Sequence, residues 1–488
     1  MERRTFIKTV GLSTAVIAAG SLTGLSSLIG NKSKPNIIFI MTDDLGFGDV
    51  SCYNPESIIR TPNIDKMAAE GIKFTDAHSP SAVCTPTRYS VLTGRYAWRS
   101  RLKRGVFGGY NKPLIETERS TVASFLKQNG YSTACIGKWH LGLNWQTKDG
   151  TQSEYDGVYE QENIDFTKPI SKGPDDLGFD YFFGTSGCTT DDPPLCFIEN
   201  NKTVGTPDRY ASEDPAGEGR LLMSVKGWLH EDADFEFMNK AISFIEQETK
   251  KNNSFFIYLP LSIPHIPWLP NEDFKGKSGA GPRGDQVLMA DYIVGQINKK
   301  LDELNIANNT LVIFTSDNGP RAGVNGHQSA WKWRGYKGSI WEGGHRVPYI
   351  TKWPGKIKAG TESDQLTVLT DLMATTAAII GKDYPKDQCE DTYNILPVLL
   401  GNDGGKPVRD NAINHSGGGV FALRIGDWKY IHESTEGGYD NGPTPGGPGQ
   451  LYNLKVDPYE TNNLYEQKPE LVAKLKQELK KIQSGAYR

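Results

Sequence analysis

Four short apolar runs, each ending in polar or charged residues, constrain this chain more than any other feature. Asn36-Ile-Ile-Phe-Ile-Met41 stops at Asp43-Asp44, and Thr310-Leu-Val-Ile-Phe-Thr315 stops at Asp317-Asn318-Gly319. Phe255-Phe-Ile-Tyr-Leu259 runs into Pro264-His265, and Tyr131-Ser-Thr-Ala-Cys-Ile136 runs into Lys138 and His140. Unbroken apolarity is the pattern of strands buried on both faces of a parallel sheet. Helical patterns lie between them, at Thr121 to Asn129, Glu231 to Thr249 and Asp285 to Leu304. Strands alternating with helices predict an α/β fold built on a doubly wound, mostly parallel sheet. Such sheets bind ligands beyond the carboxyl ends of their strands. Acids, an amide, imidazoles and an amine are thus delivered to one rim.

Each of these groups has an ordinary explanation when taken alone. An Asp-Asp pair after a strand is a common turn or helix cap, and Asp-Asn-Gly is a favourable turn sequence. Together, three carboxylates and one amide carbonyl make a hard oxygen cluster suited to Ca²⁺ or Mg²⁺. Lysines and histidines beside it would surround a tetrahedral anion. No thiolate pair favours zinc.

The net charge of −4 over 488 residues argues against bulk attraction to nucleic acid or to anionic lipid. An anionic substrate must therefore meet a local basic pocket. Residues 1–30, with Arg3-Arg4 before a mild apolar stretch, resemble a twin-arginine export signal, which implies a periplasmic or secreted protein. No later run is long enough to insert stably in a membrane.

Ser81-Ala-Val-Cys84-Thr-Pro86-Thr-Arg88 reads as a loop opening a helix. A helix N-terminus and Arg88 on the next turn would both favour a Cys84 thiolate. The passage also resembles the sulfatase family. Cys84-x-Pro86-x-Arg88 matches the motif in which cysteine is oxidised to formylglycine (3-oxoalanine), with Thr87 where serine is commoner. Gly130-Tyr-Ser-Thr-Ala-Cys-Ile-Gly-Lys138-Trp-His140-Leu-Gly142 is similar to the family's second signature, and Arg334-Gly-Tyr-Lys337-Gly to its lysine-glycine segment.

The resemblance implies the alkaline phosphatase-like fold over residues 35–380. It assigns Asp43, Asp44, Asp317 and Asn318 to a divalent cation, usually Ca²⁺, with modified Cys84 completing the shell. It has Arg88 stabilise the formylglycine, and sets Lys138, His140, His265 and Lys337 around the sulfate. The implied reaction is sulfate monoester hydrolysis by a geminal-diol nucleophile through a sulfoenzyme. His265 would protonate the leaving oxygen, and His140 would take the proton of the second hydroxyl. The implied partners are a sulfated saccharide and a formylglycine-generating enzyme. The rival readings are an arylsulfatase acting on small aryl esters, a phosphate or phosphonate ester hydrolase of the same superfamily, and an inactive sugar-binding relative.

The loop-rich stretch 143–225 is read as part of the substrate cleft. Trp331-Lys-Trp333-Arg334 suits a sulfated sugar or simple packing, and the five cations from Arg95 to Arg104 could steer a polyanion. Residues 381–488 are read as a smaller α+β subdomain with an antiparallel sheet: a hairpin around Gly426-Asp427, a strand from Gln450 and a helix from Glu470 to Ile482. Of the six cysteines, Cys188 and Cys196 are the expected pair if any bridge forms.

Overall fold

Strand Asn36–Thr42 shows why the chain folds in layers. Its alternate residues Ile37, Phe39 and Met41 join an apolar cluster with Tyr89, Leu92, Val122 and Phe125. Ile38 and Ile40, pointing the other way, join Phe237, Ala241, Ile293 and Val294. All five strand residues are fully buried. The helices Cys84–Thr93 and Val122–Gln128 therefore cover one face, and Ala233–Lys250 and Gly281–Glu303 the other. This is the α/β layering expected of unbroken apolar strands.

The computed structural model describes residues 34–150, 157–211, 214–215, 217–323, 325–439 and 444–485. The export segment read at residues 1–30 lies outside them. The large sheet has ten strands. From one edge they are Thr361–Ser363, Ile72–Phe74, Tyr349–Lys352, Thr310–Ser316, Asn36–Thr42, Phe255–Pro260, Ser132–Lys138, Tyr181–Thr185, Ile198–Glu199 and Lys202–Thr203. The middle of the sheet, from Thr310–Ser316 to Tyr181–Thr185, is parallel. Tyr349–Lys352 and Ile198–Glu199 join it antiparallel on either side.

The four predicted strands are the inner four. The strand Tyr181–Thr185 and the short outer strands were not predicted, because runs of two to five residues carry little periodicity.

Register sets the level of the rim. Thr42 lies opposite Ser316, and Met41 lies between Thr315 and Pro260. The Asp43 amide then donates to the Ile263 carbonyl, and the Asp317 amide to the Thr42 carbonyl, each at 3.0 Å. Helix Val122–Gln128 starts at a capping box: the Thr121 hydroxyl accepts from the Ser124 amide at 3.0 Å, and the Ser124 hydroxyl accepts from the Thr121 amide at 2.9 Å. Thr121→Ala is expected to lower stability by about 1–2 kcal/mol, read as a shifted denaturation midpoint with unchanged slope.

The C-terminal part forms a four-stranded antiparallel sheet in chain order: Ala412–His415, Phe421–Ile425, Trp428–Ile431 and Gln450–Asn453. Helix Pro469–Gln483 lays Val472, Leu475, Leu479 and Ile482 against Tyr430 and Leu451. The edge of this sheet reaches the loop before Cys84. The His415 carbonyl accepts from the Ala82 amide at 2.8 Å and from the Ser81 hydroxyl at 3.0 Å. Lys429, buried between Glu342 at 2.9 Å and Glu460 at 2.8 Å, ties the small sheet to the lysine-glycine segment. Among the described residues no helix is long and apolar enough to cross a membrane.

Candidate active site

Asp43 and Asp44 leave the end of strand Asn36–Thr42, and Asp317 and Asn318 leave the neighbouring strand Thr310–Ser316. Asp44 has φ of 63°, a left-handed conformation that is uncommon for a non-glycine residue. Its carbonyl is held by the Arg283 guanidinium at 3.0 Å, which itself grips buried Asp49 at 2.5 and 2.6 Å.

Cys84 is the first residue of helix Cys84–Thr93, and its thiol donates to Asp43 Oδ1 at 3.3 Å. Arg88, four residues on and therefore on the same face, is fully buried. Its Nε and Nη2 reach Asp317 Oδ2 at 3.1 and 2.7 Å, and Nη2 also reaches Asp43 Oδ2 at 3.1 Å. Its Nη1 donates to the Lys138 carbonyl at 3.0 Å.

The Lys138 ammonium contacts Asp43 Oδ2 and lies 2.8 Å from the Cys188 sulfur. The strand before it passes so close to its neighbour that a Cβ on Gly137 would meet the Pro260 carbonyl at 2.0 Å. Lys337 sits 2.7 and 2.8 Å from the two oxygens of Asp44, and the Asn318 amide nitrogen lies 2.7 Å from Asp44 Oδ1. His265 Nε2 faces Asp44 Oδ2 at 3.9 Å. His140, also left-handed with φ of 57°, sets Nε2 at 2.5 Å from the Phe107 carbonyl and 3.3 Å from Asp192 Oδ2.

All ten predicted site residues thus meet at this rim, His140 in its outer layer. A backbone carbonyl only accepts, so His140 Nε2 carries the proton and Nδ1 is the acceptor nitrogen. Nδ1 is buried and has no partner among the described residues.

Electrostatics in the pocket are tightly balanced. Burial works to raise the Asp43 carboxyl, but Lys138, His265, Arg88 and Lys337 overcome it and hold it well below the usual carboxylate range. Asp317 is pushed up to about 6 by burial and by Asp43, against the pull of Arg88. The Cys84 thiol moves opposite to expectation. Burial, Asp317 and Asp43 drive it well above the ordinary thiol range, and the lysines do not compensate. As a thiol, Cys84 is a poor nucleophile.

The donor set fits a hard divalent cation. Three carboxylates converge, and the buried carbonyl oxygen of Asn318 has no partner among the described residues, which leaves it available as a further oxygen ligand.

Two further expectations are corrected. Cys188 and Cys196 do not bridge, since both thiols are free. Cys196 is buried in the apolar cluster with Trp139 and Phe182, while Cys188 turns to Lys138. The cations from Arg95 to Arg104 do not form one steering field. Arg95 and Arg99 pair with Glu390 and Asp391 at 3.1 and 2.8 Å, and Arg101 and Lys103 donate to backbone carbonyls. Trp331 and Trp333 pack on Phe47, with ring centroids 6.1 and 5.9 Å away, which favours their packing role.

Within the stretch 143–225 read as part of the substrate cleft, the sequence gives no individual role in the site to Cys188, Asp191 and Asp192, which lie in the loop after Tyr181–Thr185. The Asp192 carboxylate accepts from the Cys188 amide at 2.9 Å. The signal was that fifth strand, parallel to Ser132–Lys138 and ending at the same rim.

An α/β sheet with acids, lysines and a helix-borne cysteine at its carboxyl rim defines a hydrolase of anionic esters, and the family is shown directly. The sulfatase family model matches residues 35–382, and the chain belongs to that family. It is 34% identical to an N-acetylgalactosamine-6-O-sulfatase of Bacteroides thetaiotaomicron, over 93% of this chain and 94% of the relative. It is 31% identical to human arylsulfatase A, over 91% and 86%. Among solved structures, one from work on the metabolism of multiple glycosaminoglycans by B. thetaiotaomicron superposes with a TM-score of 0.81 at 33% identity. That match covers 93% of this chain and all of the other. The chain is a sulfuric ester hydrolase.

Proposed function

We propose that this chain removes sulfate from a sulfated carbohydrate of the glycosaminoglycan kind, with Cys84 converted to formylglycine and Ca²⁺ bound at the rim. Mg²⁺ is the second choice. The observation that carries the reading is the convergence of three carboxylates, an unpartnered amide oxygen and three cationic side chains on one buried cysteine. The relative named as an N-acetylgalactosamine-6-O-sulfatase supports the carbohydrate. Asp43, Asp44, Asp317 and Asn318 would hold the cation, with modified Cys84 as a further ligand. Bound there, the cation would supply Lewis acidity that lowers the pKa of a hydroxyl on the hydrated aldehyde and would draw charge from the sulfate oxygens.

The remaining roles belong to the chain's own side chains. Arg88, Lys138 and Lys337 balance the charges of Asp43, Asp44 and Asp317 one for one. With a divalent cation bound the pocket would be positive, and the single charge of a sulfate monoester would offset part of that excess. Lys138 and Lys337 are placed to meet sulfate oxygens as charge spreads in the transition state.

His265 anchors Nδ1 on the Ile266 carbonyl at 2.5 Å, leaving Nε2 to face the site as proton donor to the leaving sugar oxygen. Burial and Lys337 lower its imidazolium. The charge of a bound ester works in the opposite sense. His140 offers Nδ1 as the base that takes the proton of the second hydroxyl when sulfate leaves.

The twin-arginine-like segment supports export to the periplasm or beyond, and the Cys84 motif supports a formylglycine-generating enzyme as partner. Residues 35–380 would be the catalytic part and residues 381–488 the subdomain that braces the loop before Cys84.

A calcium chelator is expected to abolish sulfate release from N-acetylgalactosamine 6-sulfate, and added Ca²⁺ to restore it. Asn318→Leu, which removes the carbonyl ligand, should raise the Ca²⁺ concentration needed for half activity by at least about tenfold. Activity unchanged by exhaustive chelation would defeat the metal assignment.

A further inference from the structure

The loop after Tyr181–Thr185 brings a second set of ligating atoms to the sulfate pocket, different in kind from the carboxylate cluster. Cys188 Sγ lies 3.8 Å from His265 Nε2. One ligand atom each from Cys188, Asp191 and His265 falls within 4.8 Å of the others. We propose that Cys188, His265 and Asp191 form a soft-metal site, selective for zinc-group cations, whose occupation inhibits the enzyme.

Geometry supports the choice of metal. A tetrahedral centre with a metal–sulfur bond of about 2.3 Å and a metal–nitrogen bond of about 2.0 Å sets its two donors about 3.5 Å apart. The observed 3.8 Å needs only a small closure. The His265 ring is already fixed for the purpose. Its Nδ1–H is held by the Ile266 carbonyl, which makes Nε2 the lone-pair nitrogen and turns it to the sulfur. The loop is fixed too, since Asp192 accepts from the Cys188 amide.

Sulfur with imidazole and one carboxylate prefers zinc or cadmium, whereas the all-oxygen rim prefers calcium, so the two sites sort cations by chemistry. Binding replaces the thiol proton: Cys188–SH and M²⁺ give a Cys188–S–M bond and a proton released to solvent.

Inhibition follows from what the metal engages. It takes the Nε2 lone pair of His265, the nitrogen assigned above to the leaving oxygen. It also draws Cys188 away from the Lys138 ammonium and sets a coordinated cation where the ester must enter. The inhibitory consequence rests on the proposed roles of His265 and Lys138, but the metal site itself does not.

The test uses mature, calcium-loaded protein titrated with Cd²⁺ and, separately, with Zn²⁺. One equivalent of Cd²⁺ is expected to produce an ultraviolet thiolate-to-metal absorption band. Zn²⁺ is expected to inhibit sulfate release reversibly, with a weak chelator restoring the rate. Cys188→Ser should abolish the band and raise the half-inhibiting Zn²⁺ concentration by at least about tenfold; Asp191→Asn, which keeps the thiol, should weaken both. A band and an inhibition constant unchanged in both variants would overturn the proposal. A band in protein that hydrolyses no sulfate ester would uphold the site and defeat the activity assignment, so the two failures are distinguishable.

Discussion

Cys84→Ala is expected to lower kcat/KM for sulfate release by at least about 10⁴-fold, the scale on which removal of a covalent nucleophile acts. The fold should survive. Cys84 is a small buried side chain whose one polar contact among the described residues is a 3.3 Å bond to Asp43, and that carboxylate keeps Arg88 and Lys138 as partners. The loss therefore belongs to chemistry. A serine-like hydroxyl would give a sulfate ester that must await water, whereas a hydrated aldehyde carries a second hydroxyl that can expel sulfate. The thiol itself cannot substitute, because burial, Asp317 and Asp43 keep it protonated. The check is paired: steady-state sulfate release, and intact mass of the peptide carrying residue 84. Activity in Cys84→Ala within tenfold of the parent would mean that another group attacks sulfur.

Arg88→Ala carries the second large effect, and this one is on stability. The guanidinium is fully buried and bonds Asp43, Asp317 and the Lys138 carbonyl at once. Its removal leaves two buried carboxylates short of charge, which costs about 3–5 kcal/mol. Arg88→Lys should recover little of this, since one ammonium cannot span both carboxylates and the carbonyl with the geometry of a planar fork. Added Ca²⁺ should return part of the lost stability in both variants by neutralising the same carboxylates. Denaturant melts with and without Ca²⁺ read this out. A loss below about 1 kcal/mol for Arg88→Ala would show that water or backbone movement compensates the acids.

The site was more legible in the sequence than the sheet that carries it. Asp43, Asp44, Asp317 and Asn318 stood out because each pair directly follows an unbroken apolar run, and two such runs side by side in a parallel sheet end at one level. Cys84, Arg88, Lys138 and Lys337 were legible through motif resemblance, since nothing in local periodicity distinguishes a buried lysine from a solvated one. Cys188 and Asp192 were not legible, because their strand, Tyr181–Thr185, is short and opens a loop-rich stretch. The cation cluster misled for a related reason: charge runs say nothing of tertiary partners, and Glu390 and Asp391 lie about three hundred residues along the chain from Arg95 and Arg99. The thiolate expectation failed on burial. A helix N-terminus favours an anion, but desolvation and two nearby carboxylates outweigh it.

Sulfate ester hydrolysis at a sugar is separated from its rivals by a comparison of three esters. Mature, calcium-loaded protein is given N-acetylgalactosamine 6-sulfate, the same sugar as its 6-phosphate, and a small aryl sulfate, and initial rates of inorganic sulfate or phosphate release are measured. The highest kcat/KM is expected on the sugar sulfate. Faster release of phosphate, or reaction with the aryl sulfate alone, would contradict it.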